Sequence, residues 1–271
     1  MWERKMIKNM TIGDLMIDCA DPGRARDFYA SLTGWEKTVA YGCLALNTGL
    51  GLALLFAGTD IPYARPVWPE EPGKQQKQMH LDLVVDDLPS AVDGAIRLGA
   101  IKPSEQFGDY YVTLLDPEGH PFCLCRRSNE KSDFDRYYEK MGWGAIPDLS
   151  VMVDCRKTDA LRGFYARLTD WDQGFHSSVL IPNNKMIICF MESEGDFDYV
   201  PPVWPEEPGA QQKQMHFNFQ VDDLHAAVDE ALRAGAKKPA AQYGGDHFVT
   251  LLDTEGHPFC LCCSEYGQSE T

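Results

Sequence analysis

The stretch PVWPEEPGKQQKQMHLDLVVDDL at Pro66–Leu88 returns as PVWPEEPGAQQKQMHFNFQVDDL at Pro202–Leu224, 136 positions later. Between Val67 and His80 thirteen of fourteen positions match, far beyond chance, so one supersecondary plan is laid down twice. Each copy runs from a proline-rich loop into an alternating segment with a single histidine, His80 or His216. Alternation of period two marks a strand with one buried face, which places each histidine on a strand just after its loop.

Two further anchors extend the repeat in both directions. YVTLLDPEGHPFCLC at Tyr111–Cys125 returns as FVTLLDTEGHPFCLC at Phe248–Cys262, now 137 positions on, because the loop Gln242–His247 is one residue longer than Gln106–Tyr110. DCADPGRARDFYASLTGWE at Asp18–Glu36 returns as DCRKTDALRGFYARLTDWD at Asp154–Asp172. Three collinear matches across 271 residues mean a duplicated domain and not a solenoid of short repeats. The reading is a first domain at 10–127, a helical linker at 128–146 and a second domain at 147–263.

Apolar residues make up 44% of the chain, enough for ordinary globular cores, and no run approaches the ~18 that a membrane helix needs. The start MWERKMIKNM is charged, without the apolar centre or cleavage site of a signal peptide, so the cytoplasm is the default expectation. Nine cysteines, an odd number with several inside apolar strand runs, point to reduced buried thiols. A formal charge of −16 with no basic cluster argues against nucleic acid or an anionic membrane as partner. It leaves room for a cationic ligand.

Taken in order, Asp14–Cys19 alternates as a strand, and Ala25, Phe28, Tyr29 and Leu32 then recur at helical spacing up to Gly34. Strands are expected at Trp35–Ala40, Cys43–Asn47 and Leu50–Phe56. After the proline-rich loop come a strand at Gln78–Val85, a helix opened by Asp87 and closed by Gly99, and strands at Ile101–Gln106, Tyr110–Leu115 and Phe122–Cys125. The first half is thus two β-α-β-β-β units, and the second half repeats them. Phe134, Tyr137, Tyr138 and Met141 form an amphipathic stripe behind Ser132, which predicts a docked helix in the linker.

The paired units, the helix start D-P-x-x-x-x-x-F-Y, the junction M-H-x-D-x-x-V-D-D-L and the terminal L-D-P-E-G-H-P-F-C-L strand resemble the vicinal-oxygen-chelate superfamily of glyoxalases, bleomycin-resistance proteins and extradiol dioxygenases. The resemblance covers nearly all of both halves. It implies an α+β fold of two tandem glyoxalase/bleomycin-resistance-type domains, with curved mixed sheets enclosing a cleft. Metal-using members take a histidine from the first strand, a histidine or glutamate from the fifth and a glutamate from the eighth. Carried over, these positions hold Asp14, His80 and Cys123 in the first half and Ser150, His216 and Cys260 in the second. Only the two histidines match that pattern. No resident metal is therefore expected; should one bind, zinc at Asp14, His80 and Cys123 is the set, since cysteine favours softer ions.

Strand alternation puts Asp82 on the face of His80, and Asn218 with Gln220 on the face of His216. His80 and Asp82, together with His216, are the candidates for acid/base chemistry. Trp68, Trp204, Tyr63 and Tyr199 are candidate aromatic rims for a planar or cationic ligand. Glu70-Glu71 and Glu206-Glu207 read as solvated, and His120 and His257 as turn residues at a strand entrance. Counting Asp14 and Asp82 on one side makes the His80 cleft acidic and the Ser150, Asn218 and His216 cleft neutral. The expected function is binding of a small organic molecule, cationic or aromatic, by a chain that is a pseudo-dimeric monomer or weak homodimer. The alternative is a metal-dependent glyoxalase-like lyase, isomerase or dioxygenase built on the altered Asp/His/Cys set.

Overall fold

The computed structural model describes residues 7, 9–127, 148–169, 171, 178–182, 186–193 and 198–264. The first half contains β1 (Thr11–Asp18), α1 (Pro22–Thr33), β2 (Glu36–Ala40), β3 (Cys43–Asn47) and β4 (Ala53–Ala57). These are followed by β5 (Met79–Val85), α2 (Leu88–Arg97), β6 (Tyr111–Leu115) and β7 (Pro121–Arg126). The second half contains β8 (Leu149–Cys155), α3 (Thr158–Leu168), β9 (Val179–Leu180) and β10 (Ile187–Glu192). It ends with β11 (Met215–Val221), α4 (Leu224–Ala234), β12 (Phe248–Leu252) and β13 (Pro258–Cys263).

Local chemistry sets these elements. Asp21 caps α1 by accepting a hydrogen bond from the Arg24 amide at 3.0 Å, Pro22 supplies the first helical φ, and Gly34 ends the helix at φ 77°. Asp87 and Asp223 cap α2 and α4 in the same way. Along β5 the residues Met79, Leu81 and Leu83 face the core, which turns His80 and Asp82 to the opposite face.

The strands form two sheets, and each sheet takes one unit from each half. One runs β12-β13-β11-β1-β4-β3-β2 and the other β6-β7-β5-β8-β10-β9. The joins are antiparallel, β1 against β11 and β5 against β8, while every first-to-last strand contact within a unit is parallel. A bulge at Gly13 interrupts the β1–β11 register, and a Cβ there would lie 2.8 Å from the Gln220 side chain. Each cleft is therefore built across both halves, and the buried apolar residues of the two halves form one continuous core with an aromatic group in each half. Tyr29 packs against both Phe56 and Phe122 in the first, and Tyr165 against both Phe190 and Phe259 in the second.

Between the sheets the repeated glutamines form a seam. The Gln76 amide donates to Gln211 Oε1 at 2.8 Å, and the Gln212 amide donates to Gln75 Oε1 at 2.8 Å. Gln76 also accepts from the Val200 amide (2.8 Å) and donates to Asp198 O (3.1 Å); Gln212 does the same with Ala64 (2.7 Å) and Pro62 (3.0 Å). Each half thus pins the loop of the other that leads towards its cleft.

The expected strand Ile101–Gln106 is reduced to a single bridge between Ile101 and Leu115. Pro103 removes a donor there, and the Gln106 side chain replaces the ladder by bonding Thr113 N, Thr113 O and Pro103 O at 2.9–3.1 Å. The predicted linker helix with its stripe at Phe134, Tyr137, Tyr138 and Met141 lies outside the described residues.

Candidate ligand clefts

The first cleft forms on the face of β5, β7 and β8 that points away from the core. Register sets Asp82 opposite Ser150 and beside Cys123, and His80 opposite Met152. The enclosed space is about 200 Å³. His80 Nε2 lies 3.3 Å from Asp82 Oδ1, within ion-pair range but without hydrogen-bond geometry. His80 is 8% exposed and its Nδ1 has no hydrogen-bond partner; nor have Asp82 Oδ1 and the Trp68 indole nitrogen. Unsatisfied buried polar atoms on a cavity wall mark a place where a ligand can supply the bonds.

At the floor of this cleft the Lys77 ammonium pairs with Asp154 at the end of β8, both side chains buried. Its Nζ also lies 5.3 Å from the centre of the Trp68 ring, a cation–π contact that holds the indole over the cavity. Phe107 meets the Trp68 ring edge-on at 5.8 Å, and Glu70, Met152 and Met191 complete the wall. Burial pushes the Glu70 carboxyl up, and the nearby Lys77 offsets part of that rise.

The second cleft, about 210 Å³, lies on the equivalent face of β1, β11 and β13. Here Asp14 stands opposite Asn218, whose Nδ2 donates to Asp14 Oδ1 at 2.6 Å. Asp14 is 1% exposed, and burial raises its pKa from 3.8 to about 7 against the lowering effect of that bond. His216 is held neutral, well below its ordinary value, first by burial and then by the Lys213 charge; its Nδ1 has no hydrogen-bond partner. Lys213 pairs with buried Asp18 as Lys77 does with Asp154.

The sequence profile of the glyoxalase-like domain family matches residues 14–125 and again 150–262. The chain belongs to the glyoxalase-like domain family. No curated protein matched it by sequence. Among solved structures it is similar to glyoxalase I from Zea mays, as a mutant (TM-score 0.63, 13% identity, 96% of each chain covered) and as the unsubstituted protein (TM-score 0.59, 12% identity, 94% and 92% covered). It is also similar to a protein assigned as a dioxygenase from Bacillus subtilis (TM-score 0.54, 12% identity, 98% and 92% covered). At such identities these likenesses establish the fold, that of a tandem vicinal-oxygen-chelate protein.

In this glyoxalase-like protein the residues grouped by sequence half do not converge. Asp14 sits in the other sheet from His80 and Cys123, and Ser150 in the other sheet from His216 and Cys260, because each sheet exchanges one unit between halves. The contrast of one doubly acidic and one neutral cleft falls with that grouping: each opposed pair has one carboxylate. Trp68 lines its cleft; Trp204 repeats its contacts, with the Lys213 ammonium over the ring at 5.2 Å, Tyr243 edge-on at 6.0 Å and an indole nitrogen without a partner, but is not part of the second cleft's lining. Tyr63 and Tyr199 are not rim residues; their hydroxyls bond His120 Nε2 (2.8 Å) and His257 Nε2 (2.7 Å). Those histidines are buried, each also holding an aspartate, Asp116 or Asp253, through Nδ1 at 3.1 Å. Nor are Glu70 and Glu206 merely solvated, since one lines the first cleft and the other lies 3.7 Å from Lys213. Sequence reasoning misses the lysine–aspartate floor, although Lys77 and Lys213 recur in the repeat and so do Asp18 and Asp154. A charge inside a proline-rich polar stretch reads as solvated until its partner from the other half is known.

All nine cysteines are free thiols. Burial pushes the Cys123 thiol far up, with the Asp82 charge adding to it, and raises Cys260 to about 11. As a metal site, His80, Asp82 and Cys123 pass a first test, because one donor atom from each lies within 4.8 Å of the others. Among the described residues the second cleft has no such cluster. A zinc ion there would have to displace the Cys123 proton to gain its thiolate.

Proposed function

We propose that this glyoxalase-like protein binds a small organic molecule in the His80 cleft, without requiring a resident metal. One observation carries the reading: His80 Nδ1, Asp82 Oδ1 and the Trp68 indole nitrogen are buried without hydrogen-bond partners around one cavity. In the other cleft Asn218 already occupies Asp14. Ligand-observed NMR on a library of small polar aromatics tests this. Hits lost in His80→Ala and kept in His216→Ala are expected; hits kept in His80→Ala overturn it.

A second reading has its own support in the cluster of His80, Asp82 and Cys123. Under it those three residues hold a divalent ion that supplies Lewis-acid chemistry to a glyoxalase-like reaction. Elemental analysis of protein purified without chelator separates the two. Less than one tightly held divalent ion per chain is expected; stoichiometric zinc that disappears in His80→Ala selects the metal reading.

A further inference from the structure

We infer that the His80 cleft selects a ligand carrying a protonated amine on a compact apolar body, an inference that rests on this cleft being the ligand site. Four carboxylates line it, Glu70, Asp82, Asp154 and Glu192, against the single ammonium of Lys77. Lys77 is committed to Asp154. Glu192, at the exposed end, has Lys157 at 3.8 Å. Asp82 and Glu70 remain without a cation of their own, apart from the imidazole edge of His80 at 3.3 Å from Asp82.

These two carboxylates are partly removed from water, and Asp82 Oδ1 accepts no hydrogen bond. An ammonium group placed against Asp82 would fill that acceptor with a charge-assisted bond, which is about twice as strong as a neutral one. His80, nine-tenths buried with Nδ1 free, offers a second polar contact to an atom near the amine. The remaining wall is apolar and polarisable: the Phe107 ring edge-on to Trp68, and the thioethers of Met152 and Met191. An anion would meet a wall of its own sign, and a neutral ligand would leave the Asp82 charge without a counterpart.

The test is titration calorimetry at pH 7 with three probes of one shape, benzylammonium, benzyl alcohol and benzoate. The proteins are wild type, His80→Ala, Asp82→Asn, Glu70→Gln and the exposed charge control Glu71→Gln. Benzylammonium should bind about tenfold or more tighter than benzyl alcohol, with benzoate weaker still. Asp82→Asn should cost about tenfold and Glu70→Gln less, while Glu71→Gln changes nothing. Glu70→Gln also covers the case in which Asp82→Asn fails to fold. If benzyl alcohol or benzoate binds as tightly as the amine in a His80-dependent way, the cleft reading stands and the amine inference falls. If no probe shows His80-dependent binding, both fall.

Discussion

In one cleft Asp82 faces Ser150 across the β5–β8 join; in the other Asp14 faces Asn218 across β1–β11. Both clefts carry one carboxylate at the same level of the sheet, but it comes from opposite strands of the pair. The partner decides what that carboxylate does. Asn218 reaches Asp14 at 2.6 Å and seals it, leaving a buried acid with a pKa of about 7. Among the described residues no hydrogen bond joins Ser150 to Asp82, whose side chain stays 23% exposed to the cavity. Nearly identical scaffolds thus yield one carboxylate turned inward and one left open to its cavity.

The strongest test of this likeness lies in the floors, which should behave alike. Lys77→Met and Lys213→Met each strand an aspartate, Asp154 or Asp18, in a buried site, and each should cost about 3–5 kcal/mol in denaturant unfolding. A loss at one floor alone would show that the two pairs are not equivalent.

Next, Asp14→Asn should separate the clefts by pH. The raised carboxyl binds a proton more tightly folded than unfolded, so its contribution is full below pH 3.8 and is lost as pH rises to about 7. The variant keeps the acceptor for Asn218. It should match wild type near pH 4 and gain stability on the order of 4 kcal/mol above pH 7, at ~1.4 kcal/mol per pH unit. Melting temperatures of the two proteins across pH would check it, and a constant difference would contradict it.

A smaller effect is expected from adding a second carboxylate. Asn218→Asp places two acids face to face and should cost about 2 kcal/mol at pH 8, recovered towards pH 5 as one takes up a proton. Ser150→Asp, opposite the more open Asp82, should cost about 1 kcal/mol with the same pH sign. Equal penalties would mean the clefts are equally closed. The seam offers the mildest comparison: Gln76→Ala and Gln212→Ala each remove two loop contacts, and each should cost about 1–2 kcal/mol in thermal unfolding.

What the sequence made legible is what short-range rules govern. Asp21-Pro22 and Gly34 bound α1 by capping chemistry alone, and the period of two along β5 is enough to put Asp82 on the face of His80. The Ile101–Gln106 strand misled because a glutamine side chain can imitate a ladder. The partnership of Asp14 with Asn218 was hidden for a different reason. Their β1–β11 pairing spans some two hundred residues, and the alternation of either strand would be satisfied equally by a partner from its own half.

The opposed carboxylates bear on why two copies are fused. In a homodimer, symmetry writes every substitution into both clefts at once. Two copies of the first half would set an aspartate against an aspartate in each, since the residue equivalent to Asn218 is Asp82 and that equivalent to Ser150 is Asp14. Two copies of the second would set Asn against Ser and leave no acid in either opposed pair. Joining unlike copies in one chain releases that constraint, giving each opposed pair a single acid and each of those acids its own neighbour. The duplicated gene can then tune one cleft while the other goes on holding the fold together.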